Sequence, residues 1–196
     1  MKKIILSIFI VVFALSLNAQ QQGKIRVGLN AGVGLPNAGL GLNGDIDIRY
    51  NIMDNFNAGV QLGLGGFIKD VVNENLQSAT MCAMTSALIN GDYYFNKGTS
   101  SFAPFLGIGF GSFSIGNVQV LSTSTEQNPS SFSIESKLGG LLRGGFEAGH
   151  FRMSLEYNII PNSSLTDLSN QVVGQTQNSF LNLKIGFYLG GGHWRK

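Results

Sequence analysis

The sequence predicts an all-β fold, an eight-stranded antiparallel up-and-down transmembrane β-barrel, and three observations predict it. Apolar residues alternate with polar residues or glycine at period two through eight stretches, the repeat of a strand with two unlike faces. The polar face is also the glycine face. Glycine supplies 27 of 196 residues, against a usual share of about 7%, and a narrow eight-strand interior needs small residues where a convex outer wall does not. The connections read as alternating short turns and long loops, the asymmetry of barrels that cross a membrane.

Residues 1–19 read as a cleaved signal peptide. Lys2 and Lys3 precede an apolar run from Ile4 to Leu15, and Ala19 supplies the small residue before the cut. The run is too short for a spanning helix. Cleavage removes both lysines and takes the net charge from +2 to zero, so no basic surplus points to nucleic acid. Residues 20–196 then form one barrel domain. The single cysteine, Cys82, cannot close an internal disulfide and reads as a small residue within a strand.

The first strand covers Lys24 to Leu35, with Ile25, Val27, Leu29 and Val33 on one face and Lys24, Arg26, Asn30 and glycines on the other. Leu40 to Ile52 follows, setting Ile46, Ile48 and Tyr50 against Asp45, Asp47 and Arg49. Phe56 to Ile68 is the third, and Lys69 to Ala79 reads as a long polar loop. Thr80 to Phe95 is the least regular strand, interrupted by Thr85 and Gly91. The fifth begins at Phe102 and alternates Leu106, Ile108 and Phe110 with glycines; Pro104 is tolerated close to a strand start. Asn117 to Ser133 and Pro161 to Asn178 read as long polar loops, and the eighth strand runs from Leu181 to Leu189.

Strands six and seven, Glu135 to Ile160, fix the register. If Gly149-His150 forms a tight Gly-X turn, residues whose numbers sum to 299 face one another. Glu147 then opposes Arg152 and Arg143 opposes Glu156, while Phe146 meets Met153 and Leu142 meets Tyr157 on the other face. A one-residue slip would exchange the two faces.

Thirteen charges fall on the inward face: Lys24, Arg26, Asp45, Asp47, Arg49, Asp92, Glu135, Lys137, Arg143, Glu147, Arg152, Glu156 and Lys184. Their signs nearly cancel, so they are expected to pair and plug the lumen, because an unpaired buried charge is far too costly. Arg143, Glu147, Arg152, Glu156, Asp45, Asp47, Arg49 and Lys184 are the network residues singled out. On the apolar face, Tyr50, Phe56, Tyr93, Phe95, Phe102, Phe146, Phe151 and Phe187 cluster towards the short turns and the C-terminal end as an interfacial girdle.

The N-terminal segment, the eight strands, the hairpin RGGFEAGHFRMSLEYN, the strand FAPFLGIGFGSF and the ending LNLKIGFYLGGG together resemble the outer-membrane β-barrel domain family of OmpA and OmpX type. The resemblance spans the chain after the signal peptide. It implies residence in the outer membrane of a Gram-negative envelope, with outer-membrane lipid and the assembly machinery as partners. It departs at the last strand, where no terminal aromatic closes the register and Trp194 sits beyond a glycine run.

No catalytic, cofactor or metal site is expected. His150, Ser154, Glu147 and Glu156 lie close in sequence, as a nucleophile and base would need, but a turn histidine and an inward serine share no cleft. Neither histidine nor Cys82 has ligands at metal-binding spacing. No helix follows the glycine runs, as a phosphate loop requires. The expected role is structural or interactive, through the outer loops and with an unknown extracellular partner. The alternatives are a narrow solute pore, a lipid-modifying enzyme and a soluble ligand-binding barrel.

Overall fold

The computed structural model describes residues 21–36, 39–73, 76–96, 100–119, 133–166 and 172–191. The expected signal peptide, His193 and Trp194 lie outside them. The strands are β1 (Ile25–Pro36), β2 (Gly39–Met53), β3 (Phe56–Asn73), β4 (Leu76–Tyr94), β5 (Phe102–Gln119), β6 (Ser133–Ala148), β7 (Phe151–Ile159), β8 (Ser163–Thr166), β9 (Val172–Thr176) and β10 (Phe180–Gly190). Eight of them close into one antiparallel barrel in the order β1-β10-β7-β6-β5-β4-β3-β2, and β8 pairs with β9 in a separate small hairpin.

The β6–β7 register is the one the turn predicts, with Glu147 opposite Arg152, Arg143 opposite Glu156 and Phe146 opposite Met153. Gly149 adopts a φ of 62°, a conformation that glycine enters without steric cost. The barrel closes where β1 meets β10, pairing Arg26 with Gly190 through to Pro36 with Phe180. The Asn51 side-chain amide ties this seam, donating to the carbonyls of Gln21 at 3.0 Å and Gly191 at 2.9 Å.

The expected alternation of short turns with long loops is not kept around the whole loop end. β1 and β2 are separated only by residues 37–38, and β3 and β4 only by 74–75. The stretch Lys69 to Ala79 is a continuation of the β3–β4 hairpin, whose pairing runs to Asn73 opposite Leu76. Backbone pairing prevails over its polar composition because the hairpin satisfies its own donors and acceptors. The remaining connections at this end are long, and the one from Pro161 to Asn178 carries β8 and β9.

The wall is uneven in height. β7, β10 and β1 have 9, 11 and 12 residues, whereas β3 to β6 have 16 to 19. Outward leucines, isoleucines and aromatics are exposed around the whole outside, as at Leu42 (70%), Leu62 (56%), Ile108 (67%) and Ile185 (55%). A continuous apolar exterior of this kind marks a surface that meets something other than water.

Candidate functional site in the barrel interior

Inward positions recur at every second residue, and the lower half of the interior, nearer the turns, is ionic. Among the described residues, five basic side chains (Arg26, Arg49, Arg143, Arg152, Lys184) and five acidic ones (Asp45, Asp47, Asp92, Glu147, Glu156) are buried there. Asp92, which is 0% exposed, is the hub. It accepts from Arg143 Nε at 2.7 Å, from Arg152 Nη2 at 2.8 Å and from Arg49 Nη1. Glu147 accepts from Arg26 at 2.8 Å, Arg152 at 3.0 Å and the Tyr94 hydroxyl at 2.7 Å. Asp47 takes Arg49 at 2.7 Å and the Tyr188 hydroxyl at 2.9 Å. Lys184 lies 2.7 Å from both Asp45 and Glu156.

Charge-assisted bonds of this sort offset the large cost of removing ions from water only when each ion keeps several partners. Glycine makes the necessary room. A Cβ on Gly107 would lie 2.0 Å from Asp92 Oδ1 and 2.9 Å from Arg143 Nε, and one on Gly28 would run into the Tyr188 ring. Aromatic faces complete the layer: the Arg152 guanidinium stands 3.7 Å from the Phe105 ring centroid and that of Arg26 4.2 Å from Tyr188, contacts that gain in a desolvated site.

All eight residues singled out for the network lie in this layer, with Arg26 and Asp92 as further members. Lys24 instead precedes β1 and is exposed, since the strand begins one residue later. Glu135 and Lys137 pair with each other at 3.0 Å towards the loop end, with Glu135 51% exposed. Register also misleads about one partner. Although Arg143 faces Glu156 across the strands, the two are 3.8 Å apart, because Arg143 reaches over Gly107 of the intervening β5 to Asp92 and Glu156 turns to Lys184.

Above this layer, towards the loop end, the interior holds an apolar cluster beside buried asparagines such as Asn158 and Asn182, a feature absent from the sequence reading. Phe67, Cys82, Met84, Leu88, Phe113, Ile115, Leu141, Ile160 and Phe180 form one buried cluster. Phe67 and Phe180 meet edge to face at 4.8 Å, an arrangement that aromatic pairs favour. The signal was available in the inward parity of Phe113, Ile115, Met84 and Leu88, which breaks the rule that the glycine face is polar.

On the outside, the eight aromatics expected to form a girdle lie near the turn end. Tyr93 packs on Phe95 at 5.1 Å, and Phe146 on Phe102 at 5.1 Å and Phe151 at 6.4 Å. Ser154 is buried inside and donates to Glu156 at 3.2 Å. His150 occupies the turn and its Nδ1 engages the Tyr188 carbonyl at 2.9 Å, which ties the β6–β7 turn to β10. Ser154 is thus engaged inside the barrel and His150 at the turn, each with its own partner.

These features define a closed, eight-stranded, apolar-walled barrel of the kind found in outer membranes. No protein-family model matches the chain, and a search of curated proteins finds no match. Among solved structures the chain is similar to the outer membrane protein OprG from Pseudomonas aeruginosa, with a TM-score of 0.56 and 13% identity over 87% of this chain and 98% of that one. It is similar also to Neisserial surface protein A, at a TM-score of 0.50 and 12% identity over 85% and 95%. At such identities the likeness is one of fold.

Proposed function

We propose that this protein is a non-catalytic, non-conducting integral outer-membrane barrel, exported by its signal peptide and inserted by the outer-membrane assembly machinery. Its role is structural or interactive, exercised through the connections at the loop end, with the turns and both termini on the periplasmic side. The observation that carries this reading is the filled interior. An ionic layer with its charges balanced five against five lies beneath an apolar layer, and hydrophobic constrictions oppose the passage of water and ions.

The exterior supports the membrane assignment. Every barrel strand has at least nine residues, matching the 9–11 or so that a tilted strand needs to span a bilayer. The separation of Ser154 from His150 supports a non-enzymatic role, since a nucleophile without a base in reach is weak.

Single-channel recording from the purified barrel in planar bilayers tests the reading, once a heat-dependent gel shift has verified folding. A folded barrel without steady openings is the expected result. Regular openings would replace the plugged anchor with a narrow solute pore.

A further inference from the structure

Seven of the eight joints in the barrel wall lie between strands that the next stretch of chain connects. The eighth sets the first strand, β1, against the last, β10, and no connection bridges it. Side chains cross this joint by skipping a strand. Those of β10 reach over β1 to β2 on its far side. Asn182 Oδ1 accepts from Asn43 Nδ2 at 2.8 Å, Lys184 Nζ donates to Asp45 at 2.7 Å, and the Tyr188 hydroxyl donates to Asp47 at 2.9 Å. At the turn end the Asn51 amide donates to the carbonyl of Gly191, just after β10, at 2.9 Å. The contacts on β2 thus run in order along its inward face, from the loop side of the joint to the turn side.

The strand beneath them leaves the room. Opposite Asn182, Lys184 and Tyr188, β1 has Gly34, Gly32 and Gly28. A Cβ on Gly34 would lie 2.8 Å from Asn182 Oδ1, one on Gly32 would lie 2.5 Å from Lys184 Cγ, and one on Gly28 would fall on the Tyr188 ring. Between these glycines, Asn30 adds its own bonds to Asp45 at 2.6 Å and to Asp47 at 3.0 Å. Lys184 has the widest reach. It is buried, and its Nζ lies 2.7 Å from Asp45 on one side and 2.7 Å from Glu156 of β7 on the other, so a single ammonium group spans β7, β10, β1 and β2.

We propose that β10 and β2 form a clasp over β1 that holds the barrel shut at its first-to-last joint, with Lys184 as the positioning residue. Backbone pairing is of the same kind at every joint, but elsewhere a connection keeps two strands close when their hydrogen bonds open. Here the side-chain ladder supplies that tie, because β10 cannot leave β1 without also breaking with β2. An open strand edge in lipid leaves backbone donors and acceptors unsatisfied, so the tie acts where the wall would otherwise part. The glycines of β1 are then the bed of the clasp, and the wall does not open sideways at this joint.

Amide hydrogen exchange in the micelle-folded barrel, resolved by NMR after a gel shift has verified folding, tests the clasp. In Lys184→Met the amides paired between β1 and β10 are expected to exchange on the order of a hundredfold faster, as the loss of one partner of a buried ion pair implies, while those paired between β4 and β5 keep their rates. Asp45→Asn weakens the clasp from β2; it should give the same pattern, and it decides the matter if Lys184→Met does not fold. Leu141→Ala, destabilised away from the joint, should not single the joint out. Unchanged rates between β1 and β10, an equal rise between β4 and β5, or the same local rise in Leu141→Ala would each overturn the proposal.

Discussion

Asp92 and Phe113 both point inward from neighbouring strands, at different heights, yet one is ringed by three guanidinium groups and the other by aliphatic and aromatic side chains. The two layers they represent fill the same tube by different physics. In the ionic layer each group is held by directed, charge-assisted bonds, so identity and position matter more than volume. In the apolar layer, burial and close packing do the stabilising, and volume matters most.

The contrast makes Asp92→Ala the most damaging single change. It leaves Arg49, Arg143 and Arg152 facing one another without their shared anion, and removing one partner of a buried pair already costs about 3–5 kcal/mol. A urea titration of the vesicle-folded barrel is expected to show at least that loss. A smaller loss than that of a large-to-small change in the apolar layer would erase the distinction between the layers. Leu141→Ala should cost about 2–5 kcal/mol, set by how far the cluster collapses around the void. In the same layer Met84→Leu, which nearly conserves volume, should cost less than about 1.5 kcal/mol.

The finest test concerns partner choice within the ionic layer. A double-mutant cycle pairing Arg143→Ala with Asp92→Ala should give a coupling within the range of about 0.5–3 kcal/mol found for contacting charges. The cycle with Glu156→Ala should give a smaller one, because the 2.7 Å contact runs to Asp92 and the 3.8 Å approach to Glu156. Equal couplings would mean that the directly facing Glu156 binds Arg143 as firmly as the Asp92 reached over Gly107.

Much of this was legible in the residues. Period two located all eight barrel strands, and the Gly149-His150 turn set the β6–β7 register that the structure shows. The length of β3 and β4 was not legible, because Lys69 to Ala79 carries loop-like composition and its order comes from cross-strand pairing. The inward apolar cluster was hidden for a related reason. Phe113 and Met84 count as interruptions when a single strand is read against one alternating template, and they acquire a shared purpose only when β3, β4, β5 and β10 are brought around one axis.

Local chemistry therefore settled which face of each strand is apolar and where the β6–β7 hairpin turns, since alternation and turn preference act between residues close in the chain. Barrel closure settled the rest. Asp92 meets Arg49 and Arg143 across 43 and 51 residues of sequence, and Lys184 meets Asp45 across 139. Contacts of that span depend on the strand order and on the glycines of an intervening strand, over which a long side chain can lie, and neither is written in any single stretch of sequence.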